Sequence, residues 1–316
     1  MTQVVHHISR RAVAEALGTT ALLATVVGSG IMGDRLSGGN VAIALMANAI
    51  ATGAMLVVLI MALGPISGAH FNPAVTLVSW QSGSIGRRDA VIFIVVQCVA
   101  AEALGTTALL ATVVGSGIMG DRLSDGNVAI ALMANAIATG AMLMVLIMAL
   151  GPISGAHFNP AVTLVTWRSG GISLRDAGIF IVVQCLAATA GVALANVMFS
   201  EPVVAASTHV RTGGPQWLSE FVATFGLIST IGLCVRSRPQ AVPWAVGAYI
   251  VAAYWFTPST SFANPAVTAA RSLTNTFAGI RPVDVGPFVV VQLLGAFAAA
   301  TVLAWLIPAG AAGNER

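Results

Sequence analysis

The chain has 316 residues, of which 57% are hydrophobic and only 8% are charged. Soluble domains carry about 25% charged residues, so this composition excludes a chain whose whole surface faces water and predicts a protein that lies in a lipid bilayer. The net charge is +3, and all 14 basic residues are arginine. Because these arginines occur singly or in pairs between apolar segments, the pattern is typical of membrane loops and excludes a nucleic-acid-binding patch.

Apolar segments long enough to span the hydrocarbon core occur eight times along the chain. A span requires roughly 20 apolar residues, and we interpret the first segment as a retained span because no clear signal-peptide cleavage site follows it. The predicted spans are 13–33, 41–63, 89–120, 127–150, 176–199, 215–235, 241–257 and 285–307. Three apolar pieces of about ten residues, too short to cross, follow Asn72, Asn159 and Asn264. They predict re-entrant half-helices, which persist only beside protein or a water-filled cavity.

The first half of this pattern is duplicated. Residues 14–100 recur at 101–187 and differ at nine positions, which a recent duplication, a deliberate fusion or an assembly artefact would each produce. The segment 89–120 joins the two copies, and since both of its parts should run outward from the cytoplasm, we expect one long crossing there. We predict a duplicated half-repeat at 1–100, a pore domain at 101–308 and a short polar tail at 309–316.

The arginines fall into two groups if the spans alternate in direction. The larger group should be cytoplasmic, because cytoplasmic loops carry the excess of basic residues. It contains Arg10, Arg11, Arg87, Arg88, Arg168, Arg175, Arg236, Arg238 and Arg316, and the outer group contains Arg35, Arg122, Arg211, Arg271 and Arg281. This distribution predicts a cytoplasmic N-terminus.

Three related motifs begin the half-helices. The sequence SGAHFNPAVT surrounds Asn72 and again Asn159, and SFANPAVT surrounds Asn264. Proline suits the first turn of a helix because its missing N–H would have no partner there, and the preceding asparagine can both cap the helix and present its amide to a pore. Two half-helices that meet at mid-membrane would direct their positive ends at the lumen and repel cations. The repeated frame therefore predicts a pore.

These motifs resemble those of the aquaporin, or major intrinsic protein, family over nearly all of 101–308, with 14–100 as a copied first half. The resemblance implies an all-α membrane protein: an aquaporin-like right-handed helical bundle with two pore half-helices, plus an extra N-terminal repeat of two spans and one half-helix. It also implies a homotetramer of passive channels in the cell (inner) membrane, with no cofactor, no metal site and no enzymatic activity. The expected partners are lipid, water and small neutral solutes.

The resemblance assigns roles residue by residue. The two pore signatures are Asn159-Pro160-Ala161 and Asn264-Pro265-Ala266, with Asn72-Pro73-Ala74 as the first-copy duplicate. The expected ladder of backbone carbonyls comprises Gly155, Ala156 and His157, and residues 259–263, which include Thr260 and Phe262. Glu102 and Glu220 match the family's buried carboxylates. We expect these two to hold the re-entrant loops, with a proton relay as the alternative.

The selectivity filter departs from the water-selective pattern, which places an arginine three residues after the second signature asparagine, with a phenylalanine and a histidine opposite. The matching positions here are Thr139, Ala252, Ser261 and Val267, although a neighbour could replace Ala252 if the alignment contains a gap. None of the four is charged or aromatic, so we expect a wide filter that passes glycerol, urea, As(OH)3 and water. The sequence FANPAVTAARSLTNTFAGIRP resembles bacterial aquaglyceroporins linked to arsenic handling. For Arg271 we favour a loop or a lipid-headgroup environment over the outer mouth.

Several alternatives stay open at this stage. The first copy could replace the second in the pore, although only the second continues directly into the C-terminal half. The chain could be a secondary transporter with broken helices, or a scaffold that the extra half prevents from conducting. Three cysteines, Cys98, Cys185 and Cys234, lie in apolar segments, where we expect them to be small buried hydrophobic side chains.

Overall fold

The structure, a computed structural model, describes residues 7–306, and within this range it contains eleven α-helices, one 3₁₀ turn and no strand. The helices are α1 (Ile8–Leu36), α2 (Val41–Ser67), α3 (Pro73–Gln81), α4 (Arg87–Leu123), α5 (Val128–Ser154), α6 (Pro160–Arg168), α7 (Leu174–Met198), α8 (Gly214–Ser237), α9 (Val242–Phe256), α10 (Pro265–Arg271) and α11 (Pro282–Leu306). This confirms the predicted all-α class. The predicted polar tail at 309–316 lies outside the described residues.

Seven of the described helices are long and apolar enough to cross a membrane. The predicted crossing at 89–120 is a single helix, α4, whose 37 residues extend about 55 Å at 1.5 Å per residue. The predicted span at 241–257 is shorter than expected, since α9 has 15 residues and extends only about 22 Å. The remaining predicted spans correspond to α1, α2, α5, α7, α8 and α11, and α3, α6 and α10 are the three half-helices.

The described residues form two compact units. The first contains the residues up to Gly105 together with Met148–Ala156, and the second contains Thr106–Ile147 and the residues from His157 onward. The division therefore falls inside α4, a few residues beyond the predicted boundary between residues 100 and 101. The last turns of α5 belong to the first unit, which the sequence did not indicate.

In the first unit, α1 packs along α2. The Asn48 side chain of α2 donates a hydrogen bond to the carbonyl of Val26 on α1 (2.8 Å), so a polar group inside an apolar helix has a partner, as burial in an apolar environment requires. Elsewhere on α2, the large apolar side chains of Leu45, Ile50 and Met61 are exposed. Large exposed apolar side chains on a helix are suited to contact with lipid.

In the second unit, α8 and α9 build a core with α5. Its buried residues are Ala136, Ala223, Leu227, Val246, Ile250, Tyr254 and Ala263. The α5–α9 contact is close because glycine occupies both sides: a Cβ added to Gly140 would meet the Val251 side chain and lie 2.7 Å from the Gly247 carbonyl oxygen. Small residues at such crossings are the common basis of helix association in membranes.

The cysteines are less buried than the sequence predicts. Cys98 and Cys234 are half-buried and Cys185 is exposed. An apolar segment of a membrane helix places residues on both its packed and its outer faces, so hydrophobic surroundings in the sequence did not fix their burial. In the part of the chain that the structure describes, no group of three metal-ligating side chains occurs.

Candidate pore

Two half-helices of the second unit begin at the signature asparagines. Asn159 caps α6 by accepting a hydrogen bond from the Ala161 N–H (2.9 Å), and Asn264 caps α10 by accepting from the N–H groups of Ala266 (3.0 Å) and Val267 (3.2 Å). A proline follows each asparagine at the first helical position. The oxygen of each amide thus satisfies its own helix end, and this leaves the amide nitrogen for another partner.

The amide nitrogens join the two half-helices reciprocally. Asn159 Nδ2 donates to the carbonyl of Ala263, the residue before Asn264, and Asn264 Nδ2 donates to the carbonyl of Phe158, the residue before Asn159, both at 2.8 Å. Each asparagine is only 5% exposed. The tips of α6 and α10 therefore meet, and each amide keeps one N–H that bonds to no other described residue.

A buried carboxylate holds the loop that enters α10. Glu220 of α8 accepts hydrogen bonds from the backbone N–H groups of Phe262 (2.8 Å) and Ala263 (2.9 Å) and from the side chain of Gln292 (2.6 Å). Gln292 also donates to Thr268 of α10 (2.8 Å). These partners hold the re-entrant loop and Gln292 against one buried carboxylate. Gln292 had no recognised role in the sequence, although its first-copy counterpart in α4, Gln97, makes the same kind of contact.

Glu102 makes a related contact in the first unit. Its carboxylate accepts from the hydroxyl of Ser154 at the end of α5 (2.7 Å), and the same hydroxyl accepts from the Ala156 N–H (3.1 Å). Gly155 and Ala156 have positive φ values of 85° and 50°. Because these two residues belong to the first unit, their assignment to the carbonyl ladder stays a prediction.

The loop before α10 has an unusual backbone. Thr260, Ser261 and Ala263 all have positive φ values, between 48° and 60°, which non-glycine residues adopt at a cost of order 1–3 kcal/mol each. The Glu220 bonds hold this conformation. The carbonyl oxygens of Thr260 and Phe262 accept no hydrogen bond from the described residues, as groups in a solute-binding ladder require.

His157 lies before Asn159 in the loop that enters α6. Its Nδ1 is 3.1 Å from the hydroxyl of Thr163, and its ring packs edge-on against Phe180 with centroids 5.5 Å apart. Gln184 of α7 donates to the same Thr163 hydroxyl (3.0 Å). The imidazole therefore packs within the loop, which leaves its backbone carbonyl as the group predicted for the ladder.

Three of the four predicted filter residues are buried in the second unit. Thr139, Ser261 and Val267 are each exposed by 5% or less. The Ser261 hydroxyl is buried without a hydrogen-bond partner among the described residues, and the Thr139 hydroxyl accepts from Tyr254 of α9 (3.4 Å). An orphaned hydroxyl is costly in a closed core, but it suits a position where a solute oxygen or water arrives.

The fourth filter assignment, Ala252 or a neighbour, stays a prediction. Ala252 lies on an exposed stripe of α9 with Trp244, Ala248 and Trp255, whereas the buried face carries Ala253 and Tyr254. Tyr254 is the α9 residue whose side chain reaches Thr139. A shift of one or two residues rotates a helix position by 100–200°, so a gap in the count from Asn264 would move the assignment from Ala252 to the buried face. An aromatic side chain of α9 therefore contacts Thr139, which the sequence did not predict.

The expectation that Arg271 lies at a loop surface or at lipid headgroups is wrong. It is only 2% exposed, its Nε donates to the carbonyl of Ala278, and its guanidinium stacks on the ring of Phe262 at 3.4 Å from the centroid. Four residues beyond Val267 on a short helix, it returns to the same side and meets the loop that precedes α10. Arg271 can be buried because the Phe262 ring and the Ala278 carbonyl compensate its guanidinium for the loss of hydrogen bonds to water.

The third signature has no equivalent partner. Asn72 caps α3 by accepting from the Ala74 N–H (2.8 Å), but its side chain is exposed, and its amide nitrogen donates no hydrogen bond to any residue from 7 to 306. The structure thus brings together Asn159 and Asn264 and leaves Asn72 unpaired.

Comparison with known proteins agrees with this architecture. The family model described as major intrinsic protein matches residues 2–101 and again 99–240, which is consistent with a tandem duplication. Aquaglyceroporin AqpS of Rhizobium meliloti (strain 1021) is 58% identical over 211 residues, which cover 67% of this chain and 90% of that protein. Aquaporin NIP1-4 of Oryza sativa subsp. japonica is 34% identical over 54% of this chain and 62% of its own length. A probable TIP-type aquaporin of Medicago truncatula is 32% identical over 49% of this chain and 66% of its own length.

Proposed function

The chain belongs to the major intrinsic protein family, and we propose that it passes glycerol, urea and undissociated arsenite, As(OH)3, together with water, through a pore in its second compact unit. As a member of this family it is a multi-pass membrane channel for small solutes and water, not an enzyme. The proposal concerns which solutes pass and which residues select them.

One observation carries the proposal: the reciprocal bonds between the Asn159 and Asn264 amides and the opposite half-helix. They fix two helix N-termini tip to tip, so that two remaining amide N–H groups and two positive helix ends lie at one place. Such a site orients an oxygen of water or of a polyol and repels cations. Solutes with several hydroxyl groups can exchange bonds with these donors and with the carbonyls of Thr260 and Phe262 in turn.

The neutral filter residues support solutes larger than water. Val267 offers no charge and no hydrogen bond, while Ser261 and Thr139 offer hydroxyls. A constriction without a guanidinium leaves more room and places a lower desolvation demand on a neutral solute. AqpS, the relative at 58% identity, carries the name aquaglyceroporin, which favours a polyol over water as the main solute.

The second copy supplies the working half-pore in this proposal, so that residues 101–308 form the pore domain and 1–100 the additional half-repeat. We further propose that four subunits assemble in the cell membrane, as the family resemblance implies. The arginine distribution favours a cytoplasmic N-terminus, because nine of the fourteen arginines then lie on the cytoplasmic side.

The main rival is a coupled transporter with broken helices. It predicts solute flux that depends on an ion gradient and has a high activation energy, whereas a channel gives gradient-independent flux with a low activation energy. The buried carboxylate of Glu220 favours the channel, because backbone N–H groups and Gln292 occupy its oxygens and leave it poorly placed to bind a coupling ion.

Stopped-flow swelling of proteoliposomes with water, glycerol, urea and arsenite in parallel tests the proposal. Replacing Val267 with arginine should narrow the filter and reduce glycerol flux about tenfold, a barrier change of about 1.4 kcal/mol, while water flux falls much less. The matched control is Val267→Ile, which adds volume without charge and should lower glycerol flux only slightly. Equal loss of water and glycerol flux in Val267→Arg would contradict the filter assignment.

A further inference from the structure

Arg211 lies in the segment between α7 and α8 but contacts the loop that precedes α10. Its Nη1 donates to the carbonyl of Ser259 (3.0 Å) and approaches the hydroxyl of Thr260 (3.4 Å), and its Nε donates to the carbonyl of Gly279 (2.9 Å). Its own backbone N–H donates to Asp284 (2.9 Å). Four contacts from backbone and side chain therefore fix an arginine of a connecting segment beside the proposed carbonyl ladder.

Phe262 connects Arg211 to a second arginine. The guanidinium carbon of Arg211 lies 4.9 Å from the Phe262 ring centroid and that of Arg271 lies 3.4 Å from it. The backbone N–H of Phe262 is in turn held by Glu220. One aromatic ring, whose backbone N–H is held by a buried carboxylate, thus contacts two guanidinium groups, and Ser261 is the residue directly before it.

The charge of Arg211 is not neutralised by an ion pair. All the acceptors of its guanidinium are neutral oxygens, and Asp284, which accepts from its backbone, forms an ion pair with Arg281 (2.9 Å). Among the described residues, Arg211 and Arg271 form no salt bridge. Burial lowers the pKa of Arg211 from its ordinary value, and Glu220 opposes this shift; arginine nevertheless stays protonated in proteins.

The Nη2 amino group of Arg211 is the part of the side chain that has no assigned partner. It forms no hydrogen bond within residues 7–306, and the side chain as a whole is partly exposed while Arg271 is buried. Arg211 therefore offers a fixed, partly exposed positive charge beside the loop that precedes α10, whereas Val267 is uncharged. Arg271 contributes to the same local potential from within the protein.

We propose that Arg211 is the cation-excluding residue of this channel, supplying from the α7–α8 segment the fixed charge that Val267 lacks. This inference rests on the proposed pore. A fixed charge raises the energy of an approaching cation but leaves a neutral polyol almost unaffected. Because the guanidinium is held by carbonyl oxygens beside the filter and does not occupy position 267, the channel can remain wide and still exclude ions.

Electrical conductance and glycerol swelling, measured on the same full-length preparations, test this role. Arg211→Gln should raise the ratio of Na⁺ and K⁺ conductance to glycerol flux, measured on the same vesicles, at least about tenfold. The matched control is Arg122→Gln, which removes an exposed outer-side arginine that pairs with Glu201 and should change neither quantity. Unchanged cation conductance in Arg211→Gln, with glycerol flux present, would overturn the proposal. Absence of glycerol flux in the parent protein would instead refute the proposed function.

A second variant covers the case in which Arg211→Gln does not reach the vesicles. Arg211→His carries a charge that is lost near neutral pH, so its cation conductance should rise as the pH increases from about 5 to about 8. The parent should show no such rise, because its arginine stays charged over that range. A flat profile in Arg211→His would count against exclusion by charge at this position.

Discussion

Residues 14–100 and 101–187 share nearly the same sequence but not the same surroundings. In the most apolar 18-residue stretch of α2, 6% of the residues are buried, whereas 33% are buried in the same stretch of its duplicate α5. Asn72 is exposed where Asn159 is buried and bonded to the C-terminal half. The difference teaches that the signature motif specifies a half-helix, while an inverted second half is needed to convert that half-helix into part of a pore.

The local structure of the two copies agrees closely. Phe71 and Phe158 both have φ 49°, and the histidine–threonine contact is 3.1 Å in each. In the first copy Glu15 accepts from the N–H groups of His70 (3.0 Å) and Phe71 (2.7 Å). The first-copy loop is therefore held by contacts with its own preceding helix, without any pairing to the second half.

The largest expected effect comes from replacing the signature asparagine by aspartate, which exchanges the side-chain nitrogen for an oxygen, in one copy or the other. Asn159→Asp keeps the cap oxygen but places a carboxylate against the Ala263 carbonyl, at a position that is only 5% exposed. A buried, unpaired charge is far costlier than a lost hydrogen bond, so glycerol and water flux should fall about tenfold or more. Asn72→Asp, in an exposed position, should leave both fluxes close to those of the parent. Proteoliposome swelling measures both.

The two variants separate the alternatives left by the duplication. If Asn72→Asp abolished flux and Asn159→Asp did not, the first copy would supply the working half-pore. Partial losses in both would indicate that the two copies exchange in the pore. The protein level in the membrane serves as the control, since flux is compared per inserted channel.

The sequence predicted the helices better than the contacts between them. The spans and half-helices followed from apolar length and from the Asn-Pro start signals, which are local features. The side of α9 that faces Thr139 did not follow, because a count from Asn264 cannot detect a change in loop length. Arg271 was also misplaced, because an arginine beyond a half-helix suggests a loop surface. Only the fold reveals that the ring of Phe262 contacts both Arg271 and Arg211.

A medium effect is expected where one glycine is packed and its duplicate is not. A Cβ on Gly140 would meet Val251 and the Gly247 carbonyl, whereas a Cβ on Gly53 would meet nothing within 4 Å. Gly140→Ala should therefore destabilise the protein by about 1–3 kcal/mol through overpacking, and Gly53→Ala should be neutral or slightly stabilising. Thermal unfolding of the purified protein in detergent measures the difference. Equal shifts would mean that α5 and α2 have similar neighbours in the membrane.

The smallest expected effect lies at the helix starts that follow the first two half-helices. Ser173 caps α7 by accepting from the Asp176 N–H (3.1 Å) and donating to its carboxylate (2.7 Å), but the first copy has Gly86 in place of this serine. There the equivalent carboxylate, Asp89, pairs with Arg11 instead. Arg11→Gln should lower the free energy of unfolding by less than about 1 kcal/mol, and high salt should remove the effect. Ser173→Ala should cost about 1 kcal/mol at any salt concentration, because a hydrogen-bonded cap is not screened. Melting curves at low and high NaCl would show whether the helix start is stabilised by a screened ion pair in the first copy and by a hydrogen-bonded cap in the second.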